Sequence, residues 1–416
     1  MSFTSDGSRW SDVYLAAGAR GVSACGDFLA ATALALALQQ AGAGGVAVSG
    51  LLLAAALPLA VLAPVTGRIA DRVDSRKLLI VAGIGQAAVC TALAFAEHSL
   101  VIIALVAVLA SGLAVTQPTL AALLPAMVRR EDLAKASGIN QTAGLIGMLI
   151  APALAGVLVG QFGVRVPLLL DAVSYLSLVV AGLLIRTRRS PAARPAAAVP
   201  VSWRLRDDRL VAVMVGAIAA VVAGVDAINV IEVFFIRATL GASTTVFGLV
   251  SGTWTAGMLA GALLFGRLGR RWTQPGRLVR ISLLLAGATC AAVLAGAGVW
   301  HALLLVPLWF AGGICNGGIN VFTSVVMAQR VPAAARGRAF AAMGAAVQGA
   351  GMVGYLVGGP LVDHFAPRPL VAAAGLAGLV AVAVCLPVVR RAEREIGPSP
   401  RVEPRPAQPA GDSVGP

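Results

Sequence analysis

The chain has 416 residues, 58% of them hydrophobic and only 12% charged, with a mean hydropathy of +0.88 and a formal net charge of +14. Soluble domains carry about 25% charged residues, so this composition excludes an ordinary soluble fold. The basic excess does not call for a nucleic-acid partner, because its placement along the chain has another cause.

Apolar runs of 18 or more residues read as membrane-crossing helices. Twelve occur, at 13–38, 46–65, 78–96, 100–128, 133–159 and 164–185, then 210–236, 246–268, 278–297, 302–328, 339–362 and 370–389. The first is too long for a signal-peptide core and is followed by eleven more, so it reads as a retained span. Glycine (48 residues) and alanine are abundant, which suits helices packed backbone to backbone in lipid. The expected fold is an all-α polytopic membrane protein with 12 transmembrane helices in two pseudo-symmetric six-helix halves.

With loops assigned to alternate sides, all but three of the 32 basic residues fall on the side of the two termini. The exceptions are Arg165, Arg237 and Arg368. Lys and Arg favour cytoplasmic loops, so the expected placement is multi-pass in the plasma (bacterial inner) membrane with both termini cytoplasmic. Membrane lipid, anionic headgroups included, is then the partner that the charge implies. The five cysteines lie inside apolar runs without close pairing, which implies neither disulfides nor a metal site. His98, His301 and His364 map to outer loops or helix ends and read as interfacial. The sequon Asn140-Gln141-Thr142 falls at an inner membrane edge and reads as coincidental.

The chain divides into residues 1–185, a cytoplasmic linker at 186–209, residues 210–390, and a tail at 391–416. The linker is rich in Arg, Pro and Ala and reads as flexible. Its WRLRDDR end has the make-up of a surface-lying amphipathic helix anchored by Trp203. The tail is Pro-rich and reads as disordered. Each half has its longest charged inner loop after its second span, GRIADRVDSRK from Gly67 and GRLGRRWTQPGR from Gly266. The fifth spans, ASGINQTAGLIGMLIAPALAG and RAFAAMGAAVQGAGMVGYLVGGP, also correspond. A duplicated six-helix unit with a site between the copies is a transporter architecture.

GRIADRVDSRK resembles the loop 2–3 motif of the major facilitator superfamily, G-x-x-x-D-R-x-G-R-[RK]. Gly67, Asp71, Arg72 and Arg76 match, followed by Lys77, while Asp74 replaces a glycine and Ser75 an arginine. ARGVSACGD in the first span and QPTLAALLPAMVRREDLAKASGINQ across loop 4–5 are similar to the drug- and siderophore-exporter branch. The resemblance implies a gate latch. Gly67 would end the second helix in a tight turn, and Asp71 would face the N-terminus of a neighbouring helix, where backbone N–H groups favour an anion. Arg72 and Arg76 would bridge the seam between halves. The second-half loop has Arg270 where the aspartate belongs. In the fifth span Gly144, Gly147, Pro152 and Gly156 resemble an exporter-associated motif, with Ala151 and Ala155 in place of glycines; tight packing accounts for the same residues. The fourth span has no charge, so the arginine of many drug–proton antiporters is missing.

An ionisable side chain deep in a membrane helix costs about 2.5–3.5 kcal/mol and is a functional candidate for that reason. Asp27 lies near the middle of the first span, with Arg20 two turns earlier on the same face. Asp171 lies in the sixth, and Asp226, Asn229 and Glu232 follow one another in the seventh. Asn316 and Asn320 form an i, i+4 pair in the tenth. Trp254 and Gln348 complete the candidate cavity lining. Asp171, Glu232 and the Asn pair also fit simple helix packing or interfacial roles.

No phosphate-cradling G-x-x-x-x-G-K-[ST] and no hydrolase motif occurs, so neither an ATP-driven pump nor an enzyme is expected. The expected function is alternating-access export of an amphipathic small molecule (drug, siderophore or metabolite) by a monomer. No cofactor is needed beyond an ion gradient, in first place protons, with Asp27 as the proton carrier and Asp226 attracting substrate. A facilitator or importer of another organic solute, or a transporter-like sensor, is the alternative.

Overall fold

Twelve helices long and apolar enough to cross a membrane follow one another along the chain. The computed structural model describes residues 8–129, 131–187, 205–268, 274–332 and 335–396, without the side chains of 63, 64, 67, 68, 70–72, 134, 206, 395 and 396. The first six helices are α1 (Trp10–Gln40), α2 (Gly45–Arg72), α3 (Ser75–Leu93), α4 (Ser99–Met127), α5 (Leu133–Phe162) and α6 (Arg165–Leu184). The seventh span, α7, covers Arg209–Thr239. It is followed by α8 (Thr244–Leu268), α9 (Pro275–Gly296), α10 (Leu305–Arg330), α11 (Arg336–His364) and α12 (Pro367–Ile396). Each helix overlaps one apolar run, with ends that differ from it by a few residues.

Helix ends follow local chemistry. Asp208 caps α7 by accepting from the N–H groups of Leu210 (3.0 Å) and Val211 (3.2 Å). Gly163, with φ of 76°, ends α5 in a conformation that costs a side chain dearly. Asp74, the departure from the family motif, caps α3 through the N–H groups of Arg76 (2.8 Å) and Lys77 (3.3 Å).

Two expectations need correction. Gly67 does not end the second helix: α2 runs on to Arg72, and only Val73 and Asp74 separate it from α3. The seventh span is not one continuous helix. A segment Arg209–Val225 stops at Asp226, a second, Ile228–Phe234, restarts after Ala227, and a π-turn at Phe235–Thr239 follows. Asn140 and Gln141 lie within α5, two turns from its near-face start, and Asn140 is buried. Most of the linker, including Trp203, lies outside the described residues, as do Arg270 and the tail beyond 396. Of WRLRDDR, the structure describes a short 3-10 turn at Leu205–Asp207.

Within the first half α1 packs on α5 and α6, α3 on α4 and α6, and α2 on α4. Within the second, α10 packs on α8 and α9, and α12 on α7 and α9. The α8–α10 pair meets through reciprocal small-residue steps, Gly257 and Gly261 against Gly313 and Gly317. A Cβ at Gly257 or Gly261 would run into the carbonyls of Phe310 or Ile314, and one at Gly313 or Gly317 into those of Trp254 or Met258. Backbones this close leave no space for a side chain. Gly313→Leu is therefore expected to destabilise the fold by about 1–3 kcal/mol, the range for overpacking. Gly216→Ala, where nothing lies within 4 Å, is the control. Thermal melting of purified protein reads the difference; equal midpoints would rule out the close-packed seam.

The two halves meet through α5 on α8 and α2 on α11. The face carrying residues 8 and 396 is called here the near face, and the opposite one the far face. Close contacts across the seam lie toward the far face. Gly156 abuts Thr244, Gly248 abuts the Pro152 carbonyl, and the Ser49 hydroxyl donates to the Tyr355 carbonyl. Asp363 accepts from the N–H groups of Gly45 and Val46 at the start of α2, the latter at 3.1 Å. Toward the near face Gly138, Gly266, Gly337 and Gly344 have no atom within 4 Å of an added Cβ. Among the described residues, the halves touch at the far face, and these near-face glycines border open space.

Candidate transport site

A large interior cavity, about 610 Å³, belongs mainly to the second half. The break in α7 shapes it. Gly354 and Gly358 of α11 press against the backbone at Asp226 and Ala227, where no side chain would fit. The carboxylate of Asp226 lines the cavity at that break. Among the described residues it has no ion pair and no side-chain hydrogen bond. Glu232, two turns of chain further on, also lines the cavity, but its Oε1 accepts from Ser251 (2.9 Å) and Trp309 Nε1 (3.1 Å). Asn320 Nδ2 donates to Asn316 Oδ1 at 3.0 Å, which fixes the amide pair side by side on α10. Trp254 of α8 and Gln348 of α11 complete the polar and aromatic lining. From the first half only Phe28 and Pro152 reach this cavity.

The smaller cavity, about 250 Å³, lies within the first half between α1, α4 and α5. Arg20 and Asp27 both line it, with Thr116, Gln117 and Gln141 opposite. Tyr175, fully buried on α6, donates its hydroxyl to Asp27 Oδ1 at 2.5 Å. The buried Nε of Arg20 has no hydrogen-bond partner among the described residues. Two residues beyond Asp27, Leu29 packs with Ala151 and Ala155 of α5 in an apolar cluster on the far-face side. Phe28 lines both cavities and so stands between them.

Of the predicted residues, Asp226, Asn229, Glu232, Trp254, Asn316, Asn320 and Gln348 meet in one cavity, and Asp27 lines the other. Asp171 lines neither. It is fully buried between α1, α3 and α6, accepting from Ser174 (3.0 Å) and Cys90 Sγ (3.3 Å), with Gly26 pressed against it. The fifth-span motif divides its work: Gly144 and Gly147 face α1, whereas Pro152 and Gly156 face α8 across the seam. Among the motif residues of the 2–3 connection, the side chains of Gly67, Asp71 and Arg72 are outside the described residues. Arg76 and Lys77 begin α3 and form no ion pair among the described residues. The three far-face arginines are tied locally, Arg165 over Phe95, Arg237 to the Ala242 carbonyl and Arg368 to the Ala297 carbonyl. His301 and His364 likewise bond to the backbone at helix ends, to the Leu303 N–H and near the Pro360 carbonyl.

Tyr175, Ser251, Trp309 and Asp363 were not among the candidates. Tyr175 did carry a signal, since it stands four residues after Asp171 on the same helix face, but tyrosine is common enough in spans to pass as packing. Asp363 sits at a helix end, where a charge looks merely solvated.

Two six-helix sets around cavities closed at one face and open at the other have the architecture of a transporter. The chain belongs to the Major Facilitator Superfamily, whose model matches residues 16–225 and 214–412. It is similar to the uncharacterised MFS-type transporter YfiS of Bacillus subtilis (strain 168), with 26% identity over 358 residues, 82% of this chain and 84% of that one. With the enterobactin exporter EntS of Salmonella typhi it shares 28% identity over 263 residues, 60% of each chain. Among solved structures, the nucleoside transporter NupG matches with a TM-score of 0.75 at 12% identity, over 92% of this chain and 99% of that one. A bacterial homologue of the iron transporter ferroportin in an inward-facing state matches at 0.72 and 15% identity, with the same coverage. At these identities the structural likeness is one of fold.

Proposed function

We propose that this transporter is a proton-driven exporter of an amphipathic small molecule, working by alternating access as a monomer in the plasma membrane with the near face cytoplasmic. The concentration of basic residues toward the near face supports that orientation. The observation that carries the coupling is Asp27. It is a carboxyl lining a small interior cavity and held by Tyr175, with the apolar Leu29–Ala151–Ala155 cluster next to it along α1 toward the far face. A carboxyl so placed exchanges its proton with one face at a time. When the halves rock, the far-face contacts of α5 with α8 and of α2 with α11 part and the near side closes, so the proton enters from the far face and leaves at the near face. Substrate takes the opposite route through the larger cavity. The resemblance of the chain to an enterobactin exporter over part of its length supports export as the direction.

The test is accumulation of a fluorescent amphiphile in inverted membrane vesicles carrying the protein, with a pH gradient, interior acid, imposed and then collapsed. Accumulation at least several-fold above empty vesicles is expected with the gradient on, and none once it is collapsed. Transport that ignores the gradient would remove the proton from the mechanism.

A further inference from the structure

Resting on the reading of the larger cavity as the substrate site, we infer that this cavity selects an organic cation, with the carboxylate of Asp226 as its counter-ion. The lining includes two carboxylates and no lysine, arginine or histidine. Of the two, Glu232 already accepts from Ser251 and Trp309, while the carboxylate oxygens of Asp226 have no hydrogen bond or ion pair among the described residues. Its setting adds to its charge. Asp226 caps the C-terminal end of the segment Arg209–Val225, where unpaired carbonyls give a helix a partial negative charge. Carboxylate and helix end thus attract the same sign of ligand and repel the other.

The remaining lining sets the kind of cation. Trp254 offers an indole face, and Val222, Val293 and Met343 offer apolar surface. A cation over an indole gains about 0.5–2 kcal/mol, most when it is desolvated. A bulky, weakly hydrated ion such as a quaternary ammonium or phosphonium loses little on leaving water and covers the apolar wall. The cavity volume, about 610 Å³, suits a drug-sized ligand. Arg20 lines the other cavity, beyond Phe28. It therefore leaves the field around Asp226 negative.

Tetraphenylphosphonium and tetraphenylborate share a shape and differ in the sign of their charge, which makes them the probes. Equilibrium binding to the purified full-length protein in detergent, without any ion gradient, is measured by displacement of radiolabelled tetraphenylphosphonium. The phosphonium is expected to bind at least tenfold more tightly than the borate. Asp226→Asn should weaken phosphonium binding at least tenfold, and Asp226→Glu should restore most of it. Equal affinity for the two ions, tighter binding of the borate, or an unchanged affinity in Asp226→Asn would overturn the proposal. The comparison of ions on the unaltered protein stands even if Asp226→Asn does not fold. Because no gradient is present, failure here leaves proton-driven export untouched, and failure of the vesicle experiment leaves cation binding untouched.

Discussion

Replacing Asp27 by asparagine is expected to reduce gradient-driven accumulation in inverted vesicles to the level seen with the gradient collapsed. Downhill exchange of substrate should persist. The substitution is nearly isosteric, and the amide oxygen still accepts the hydrogen bond from Tyr175, so the packing of α1 on α6 is kept. What is lost is the group that takes up a proton. An anion in such a place costs about 2.5–3.5 kcal/mol, which protonation relieves and asparagine never incurs. The variant should therefore still rock between its two states, but without the step that ties one direction to proton entry. The larger cavity is untouched, so substrate binding should match the unaltered protein. Asp27→Asn that still concentrates substrate would remove Asp27 from the coupling. A variant that neither binds nor exchanges substrate would instead give Asp27 a structural role.

Much of this site can be read in the sequence because lipid makes polar residues rare. Asp226, Asn229, Glu232, Asn316, Asn320 and Gln348 stand out from apolar runs, and all of them line one cavity. The same rule cannot separate a lining residue from one buried in a helix contact. Asp171 is as polar as Asp27, yet Ser174 and Cys90 satisfy it in a closed pocket. Nor does it locate a backbone break. Apolar residues flank Asp226 on both sides, so the seventh span looks continuous until Gly354 and Gly358 bring α11 against it. Gly67 misled for a related reason: a glycine beside charges suggests a turn, but α2 is packed against α4 and continues through it to Arg72. Helix number and length follow from the thickness of a bilayer. Breaks and cavity walls follow from how neighbouring helices touch, which no single run of residues contains.

The contacts that close the far face carry a prediction for both gates. Helices α2 and α11 run antiparallel, and at the far face the carboxylate of Asp363, near the end of α11, meets the N-terminal amides of α2. A carboxylate on a helix N-terminus is worth about 0.3–1 kcal/mol when exposed and up to ~2 kcal/mol when partly buried. Because the two helices run antiparallel, the end of α2 that carries Asp71 is on the same face as the N-terminus of α11 at Arg336, and Asp71 is the matching group for it once the near face closes. The two aspartates then weight opposite states, Asp363 the one closed at the far face and Asp71 the one closed at the near face. Gly344 lines the larger cavity and has no atom within 4 Å of an added Cβ, so Gly344→Cys in a cysteine-free background is a reporter with little strain. Asp363→Asn should lower its labelling by a membrane-impermeant thiol reagent applied from the near face. Asp71→Asn should raise that labelling and slow turnover, because the near gate no longer stays shut. Each change should be about two- to thirtyfold, the ratio that corresponds to ~0.4–2 kcal/mol. The double variant should return toward the unaltered rate, since the two losses act on one equilibrium from opposite sides. Labelling that moves the same way in both single variants would show that the aspartates do not act as opposed latches.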